Sequence, residues 1–319
     1  MNRTVQAVVP GSTSNLGPGF DLFGLAVDIY VRLTVTVDGS FVMASTAEPD
    51  WNVQWEGEGS GPPARVPLND QNLAVRGLES AWKAAGLAFD GRVTVSGSSE
   101  IPVARGLGAS AASLVAGLLA GESLAGAGLG SGRLLELATA EEGHPDNAAP
   151  AIEGGLIAAA PLGSGGVITH RGRLFEEYLM GAVVPDLALS TRHAREALPS
   201  EIPHPDAVRN QQRSFFLFRA LVEGRTDTLR ELVEDSLHQP YRARLIPCFE
   251  ELLETAWEGG ADAVWLSGAG PALLVLAEGS VDRIEEICQP MVDRWTAEGI
   301  SSRVLLLGPD DLGGAVHDI

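Results

Sequence analysis

The segment Ile101-Pro102-Val103-Ala104-Arg105-Gly106-Leu107-Gly108-Ala109-Ser110-Ala111-Ala112-Ser113 carries the strongest chemical signal in the chain. Its two glycines let the backbone approach a ligand closely, and the residues after them open a helix. The first N–H groups of a helix have no partners within it, and the helix dipole favours negative charge there, so this end suits a polyphosphate. Small side chains at 109–112 leave the approach clear, while Leu114, Val115, Leu118 and Leu119 anchor one apolar face. Ser110 and Ser113 can offer hydroxyls to phosphate or to a hard cation. The loop is neither a Walker A loop nor a dinucleotide fingerprint, because the terminal lysine and third glycine are missing. The chain's one lysine, Lys83, lies in a helix-like stretch. A bare Gly-x-Gly would be no more than a turn before a core helix; the full stretch is far more specific.

Two further glycine segments flank it. One is Pro10-Gly11-Ser12-Thr13-Ser14-Asn15-Leu16-Gly17-Pro18-Gly19-Phe20-Asp21, and the other is Leu266-Ser267-Gly268-Ala269-Gly270-Pro271. Either alone reads equally well as a turn between strands. Between them lies His144-Pro145-Asp146-Asn147-Ala148-Ala149-Pro150-Ala151, followed by Gly154-Gly155.

In this order, across nearly the whole chain, the three glycine segments resemble the signature motifs of the GHMP kinases (galactokinase, homoserine kinase, mevalonate kinase and phosphomevalonate kinase). The His-x-Asp-Asn-x-Ala-Pro stretch is similar to that of the homoserine kinases of this family. The resemblance implies ATP-dependent phosphorylation of the L-homoserine hydroxyl to O-phospho-L-homoserine, in threonine biosynthesis. It implies ATP held by Pro102, Arg105, Gly106, Leu107, Gly108, Ala109, Ser110, Ala111 and Ser113, with Gly268 and Gly270 closing over the site. Asn72 matches a position near the adenine, with a helix N-cap as its competitor. Ala109 stands where the family carries a serine, which removes one phosphate contact. Ser110 and Glu136 match the residues near Mg²⁺. Asn147 orients the acceptor hydroxyl; an amide has no proton-accepting pKa near neutrality, so the reaction would proceed without a strong general base. The segments around Thr191–Arg195 and Arg242–Pro247 resemble substrate segments of the family. Carried over, Arg195 and Arg242 grip a carboxylate, with Thr191 beside them. Asp21 holds an ammonium, and Asn15 and His144 lie near the hydroxyl. Together these supply both charges of an amino acid, which neither a sugar nor mevalonate requires. Two rival readings remain: a kinase for another small alcohol such as mevalonate or shikimate, and a non-catalytic regulator that binds ATP or an amino acid.

The elements that must position these residues follow from pattern. Strands are expected at Thr4–Val9, ending at Pro10 before a loop over Gly11–Gly19, and at Ala26–Val37, Arg92–Ser96 and Gly154–Ala160. Helices are expected at Asn72–Ala85, stopped by Gly86, at Ser110–Leu124, and at Arg133–Glu142, bounded by Gly143. Gly57–Pro63 reads as a surface loop. A composition shift at Pro161–Gly166 marks a domain junction, dividing the chain into 1–163 and 164–319. Beyond it, strands are expected at Gly181–Ser190, Ala261–Ser267, Ala272–Ala277 and Ser302–Leu307, and helices at Gln211–Val222, Thr226–Ser236, Cys248–Glu258 and Val281–Glu298. The pattern is α+β. The resemblance implies a two-domain fold, with an N-terminal part like domain 2 of ribosomal protein S5 and a ferredoxin-like C-terminal part.

Composition excludes other classes. Against 22 basic residues stand 42 acidic ones, a net charge of −20, which argues against nucleic acid or an anionic membrane as partner. Phosphates and carboxylates must therefore be held by local donors. No apolar run reaches the ~18 residues of a membrane span. Cys248 and Cys288 show neither disulfide nor metal spacing and read as reduced thiols of a cytoplasmic protein. The resemblance further implies a homodimer.

Overall fold

The computed structural model describes residues 2–43, 48–59 and 66–319. The chain runs β1 (Asn2–Ser14), β2 (Phe23–Met43), β3 (Asp50–Gly57), α1 (Leu73–Ala84), β4 (Leu87–Ser99), α2 (Ala109–Ala125), α3 (Gly130–Glu142), α4 (Ala148–Glu153), β5 (Leu156–Pro161) and β6 (Val167–Gly172). It continues through β7 (Tyr178–Pro185), α5 (Thr191–Glu196), α6 (His204–Glu223), α7 (Thr226–Leu232), α8 (Gln239–Arg242), α9 (Phe249–Glu258), β8 (Ala263–Leu266), β9 (Leu273–Glu278), α10 (Val281–Ala297), β10 (Ser302–Leu307) and β11 (Ala315–Asp318). The expected α+β architecture is the one observed.

The first sheet follows the order β11-β1-β2-β4-β3, with β5 branching from β2 and β6 pairing with β5. The long strand β2 serves as its spine, pairing in turn with β1, β4 and β5. Strand β1 does not stop at Pro10 as expected, but runs on to Ser14. Its register with β2 shifts between Pro10 and Gly11, an irregularity where the missing proline N–H is tolerated. Only residues from Asn15 onward leave the sheet. Strand β3, which pattern reading missed, lies parallel to β4. Part of the expected loop Gly57–Pro63 falls on it, and residues 60–63 lie outside the described residues.

The second sheet, β10-β7-β9-β8, is antiparallel. Read as β7-β8-β9-β10 along the chain, its spatial order is fourth, first, third, second, as expected of a ferredoxin-like layer. One face is covered by α9 and α10. Val183, Leu273 and Val275 point into that core with Ile284, Met291 and Trp295. The alternate residues Met180, Ala182, Leu274 and Leu276 join the core of the first sheet instead. This period-two division makes the second sheet the wall shared by both halves. Strand β7 ends at Pro185, short of the expected Ser190.

Sheet membership departs from the expected boundary after residue 163. Hairpin β5–β6 keeps residues to Gly172 in the first sheet, and β11 returns the C-terminus to β1. The composition shift at Pro161–Gly166 marks the hairpin turn, not a change of sheet.

Helices α1 and α2 cover the first sheet and cross closely. A Cβ on Gly117 would lie 2.0 Å from the Ala74 carbonyl oxygen, and one on Gly77 would lie 2.3 Å from that of Leu114. The crossing therefore requires glycine on both sides. Gly117→Ala should lower stability by about 1–3 kcal/mol from overpacking, although alanine is the better helix former by up to about 1 kcal/mol. Urea unfolding would measure this, and a variant as stable as the parent would refute the close crossing.

Candidate active site

The glycine segments meet where the two sheets face each other. In the first, Asn15, Leu16 and Asp21 all adopt positive φ (70°, 46° and 54°), a costly backbone for residues with side chains. Asn15 stabilises the turn from within: its Oδ1 accepts the Asp21 N–H at 3.0 Å, and its Nδ2 donates to the Gly268 carbonyl at 2.8 Å. The phosphate loop adopts positive φ at Gly106 and Gly108. Ser12 N–H donates to the Leu107 carbonyl at 3.1 Å, Ser267 Oγ donates to that of Gly106 at 2.7 Å, and Gly268 N–H donates to that of Ser14 at 3.0 Å.

Helix α2 begins at left-handed Gly108 with no side chain capping it. Its uncapped amides open into a cleft. Of the expected site residues, all but Asn72, Arg105, Ala111 and Glu136 line this cleft.

The four exceptions have physical reasons. Asn72 is the N-cap of α1, its Oδ1 accepting from Ala74 N–H and its Nδ2 donating to the Pro67 carbonyl. The buried guanidinium of Arg105 turns toward the second sheet, donating to the carbonyls of Pro185 and Val103 and to Asp186. It is a strut under the loop, not a phosphate ligand. Ala111 is buried within α2 and offers only its backbone N–H. Glu136 pairs with Arg133 at 2.6 Å, away from the cleft. The carboxylate brought to Ser110 is Glu142, at the end of α3, which accepts the Ser110 hydroxyl at 3.2 Å. Burial raises the Glu142 pKa, against the opposing effects of His144 and of the Ser110 bond. Among the described residues no Arg or Lys pairs with it, so a hard cation fits here: two oxygen donors side by side, one a carboxylate whose charge burial opposes and a cation would stabilise. Ser113 lines the cleft, but its hydroxyl donates to the Ala109 carbonyl at 2.8 Å.

One end of the cleft is apolar, lined by Trp55, Val66, Leu73, Pro102, Val103 and Leu107. Trp55 comes from β3, and a Cβ on Gly97 would lie 2.4 Å from its ring. Glycine at 97 thus clears room for a flat wall suited to stacking a base. The alternation Trp51, Val53, Trp55 was the signal for this strand.

The other end is charged. Arg195 forms a fork with Asp21, at 2.7 and 3.0 Å. Burial opposes the Arg195 charge, but the Asp21 bond together with the Asp21 and Asp146 charges outweighs it and raises the pKa. Arg242 is almost fully buried, with Nη1 3.0 Å from the Gly268 carbonyl. Burial, then the nearby Arg195 charge, lowers its pKa to about 10. Both guanidinium groups lie over the Phe20 ring, at 5.5 and 5.1 Å. Thr191 opens α5, whose cap is Ser190.

Between the two ends, Asn147 uses both amide hydrogens, while its Oδ1 accepts one bond and keeps a second lone pair. Its Oδ1 accepts the Ser12 hydroxyl at 2.9 Å, and its Nδ2 donates to Ser14 Oγ at 3.0 Å and to Asp146 Oδ1 at 3.2 Å. His144 Nδ1 is paired with buried Asp146. Burial alone would lower the His144 pKa; the Asp146 bond and charge reverse this and raise it. Asp146 sits in the quoted motif, yet pattern reading gave it no role. Asp21, His144 and Asp146 place their ligand atoms within 4.8 Å of one another, which makes the acidic side of this chamber suited to a cation such as an ammonium.

Comparison with known proteins agrees with this geometry. Residues 72–155 match the GHMP kinases N terminal domain and residues 217–291 the GHMP kinases C terminal region. A homoserine kinase of Desulfitobacterium hafniense is 35% identical over 312 residues, covering 98% of this chain and 99% of the relative. One from Synechococcus sp. strain WH7803 is 37% identical over 318 residues, covering 98% and 96%. The crystal structure of a homoserine kinase from Cytophaga hutchinsonii superposes with a TM-score of 0.85 at 24% identity, over 99% of this chain and 98% of that one, a likeness of fold. By full-length similarity to such relatives, this chain belongs to the GHMP kinase family, within its homoserine kinase branch.

Proposed function

We propose that the chain transfers the γ-phosphoryl group of ATP to the side-chain hydroxyl of L-homoserine, giving O-phospho-L-homoserine and ADP. The observation that carries this reading is the cleft itself, with an uncapped helix N-terminus at its centre and acidic and basic side chains gathered at one end. The base lies against Trp55, and the polyphosphate runs over Gly106–Ser110 to the amides of α2. Mg²⁺ would be held by Ser110 and Glu142, where it neutralises charge on the polyphosphate. Glu142 replaces Glu136 in that role because only Glu142 reaches Ser110.

The amino acid's ammonium meets Asp21 and Asp146, and its carboxylate meets Arg242 and Arg195. This arrangement takes both substrate charges together, since Asp21 and Arg195, paired with each other, would exchange that pairing for the ammonium and the carboxylate. The hydroxyl oxygen bonds to the γ-phosphorus as the bond to the ADP oxygen breaks, and its proton passes to a phosphate oxygen. Asn147 and His144 orient the hydroxyl; the amide has no proton-accepting pKa near neutrality, and His144 Nδ1 is already committed to Asp146. Rate then comes from alignment and charge stabilisation.

The reading includes a homodimer, for which the exposed Phe215 and Phe216 on α6 offer apolar ground. It also includes a cytoplasmic location, supported by two free thiols. No helix among the described residues is long and apolar enough to cross a membrane.

Three measurements test the reading. ADP release should be stimulated by L-homoserine, and far less by mevalonate, shikimate or galactose at equal concentration; no rise above the ATP-only background would overturn it. Glu142→Gln should lower kcat about 100-fold or more and raise the Mg²⁺ requirement, while Glu136→Gln stays within about twofold of the parent. The opposite ranking would return the metal role to Glu136. Arg242→Gln should raise the homoserine KM about 100-fold and leave the ATP KM nearly unchanged; a homoserine KM that stays put would remove Arg242 from the carboxylate site.

A further inference from the structure

Behind the charged end of the cleft lies a buried group that the mechanism above does not use. Asp235 and His238 have fully buried side chains. The Asp235 carboxylate accepts the N–H groups of Leu237, His238 and Gln239 at 2.9, 2.7 and 2.6 Å. It thereby caps the single turn of α8, which ends in Arg242, and fixes where the His238 ring projects.

The two ring nitrogens face partners of opposite character. Nε2 lies 2.8 Å from the Gly17 carbonyl, which can only accept, so Nε2 carries the hydrogen. Nδ1 lies 3.3 Å from Arg242 Nη1, which can only donate, so Nδ1 presents its lone pair. Both bonds are satisfied together in one neutral tautomer alone. The charged groups around the ring are Asp235, Arg242 and Asp21; burial dominates over them and lowers the imidazole pKa, which keeps the ring neutral. The ring also stacks on Phe20 at 5.2 Å and 23°, the same ring that carries Arg195 and Arg242. Gly17 leaves no freedom on its side, since a Cβ there would lie 2.3 Å from the Val233 carbonyl.

We propose that His238 is a positioning residue for the amino-acid substrate, in which one neutral imidazole couples the 15–21 loop that carries Asp21 to the guanidinium of Arg242. The two opposite charges of the substrate are then read at a spacing set by His238, which touches neither. This rests on the reading of Arg242 as a carboxylate ligand.

Three variants and two acceptors test it: L-homoserine, and 3-aminopropan-1-ol, which keeps the ammonium and hydroxyl but lacks the carboxylate. His238→Leu removes both bonds and should raise the homoserine KM about tenfold or more, with the ATP KM within about twofold. Its kcat/KM for the aminopropanol should fall at least about threefold less than that for homoserine, because only the Asp21 side of the pair is left to misplace. His238→Asn places an acceptor near Nδ1 and should recover most of the homoserine KM. His238→Gln, with a donor near Nε2 only, should recover less. Equal losses with both acceptors, a parallel rise in the ATP KM, or no rescue by Asn would overturn the proposal in favour of a packing role. If the leucine variant fails to fold, the Asn–Gln difference decides it. A parent chain without homoserine turnover would overturn the substrate reading and this proposal with it, whereas normal parent turnover with an unchanged His238→Leu KM overturns the proposal alone.

Discussion

The active centre depends on a backbone contact that has no room for a side chain. A Cβ on Gly106 would lie 2.0 Å from the Ser267 carbonyl oxygen, with Gly270 close behind. Glycine at 106, with φ of +82°, therefore lets the phosphate loop of the first half touch the β8–β9 turn of the second. Everything else is referenced to that contact. The Gly268 carbonyl accepts both Asn15 Nδ2 and Arg242 Nη1, so the substrate loop and the buried arginine share one anchoring atom. A phosphoryl transfer that relies on alignment needs donor and acceptor sites fixed relative to each other, and here a few short backbone contacts do so.

Charge is arranged against the background of the whole molecule. A chain of net charge −20 repels ATP and offers a substrate carboxylate no long-range attraction. Two arginines are instead concentrated at one end of the cleft, close enough for Arg195 to help depress the Arg242 pKa to about 10. That still leaves Arg242 charged at neutral pH, but its charge is under tension: burial and a like neighbour both oppose it. In the proposed substrate site an entering carboxylate would offset both, so the cost of holding Arg242 buried would become part of the affinity for the zwitterion. Phe20 lets two guanidinium groups approach one another by offering both the same π-face system.

Much of this was legible in the sequence. The pattern placed α1, α2, α10 and β10 almost to the residue: α1 and α10 each bury one face, and α2, buried nearly all round, is bounded by Gly108 and Gly126. What failed has a local cause. Pro10 is read as a strand end, but a bulge accommodates it. β6 and β11 are short, half-exposed strands whose pairing is decided by tertiary context, which moved the sheet boundary past Gly172. Glu136 and Glu142 are both helical glutamates near the same motif, and spacing to Asn147 cannot tell which one α3 delivers to Ser110. Arg105 and Asn72 sit at motif positions, yet their polar groups are drawn to nearby backbone carbonyls. His238 left no signal, since its importance arises from Gly17, far away in sequence.

The most consequential residue absent from the sequence reading is Asp146, a carboxylate beside the acceptor site in an enzyme read as working without a strong base. Its neighbours explain why its presence does not change that reading. One oxygen of Asp146 binds both His144 Nδ1 and Asn147 Nδ2. Proton transfer to this carboxylate would weaken two bonds that hold the hydroxyl-orienting groups, and would remove the negative charge that raises the His144 pKa. In this geometry a base at 146 would disorganise the site at the moment of reaction. The carboxylate is better suited to a constant charge: it fixes Asn147 and His144, which in the proposed reaction would face the hydroxyl, and it would add to Asp21 in attracting the ammonium. The proton is then left to the transferred phosphoryl group, whose oxygens are already at the reacting centre.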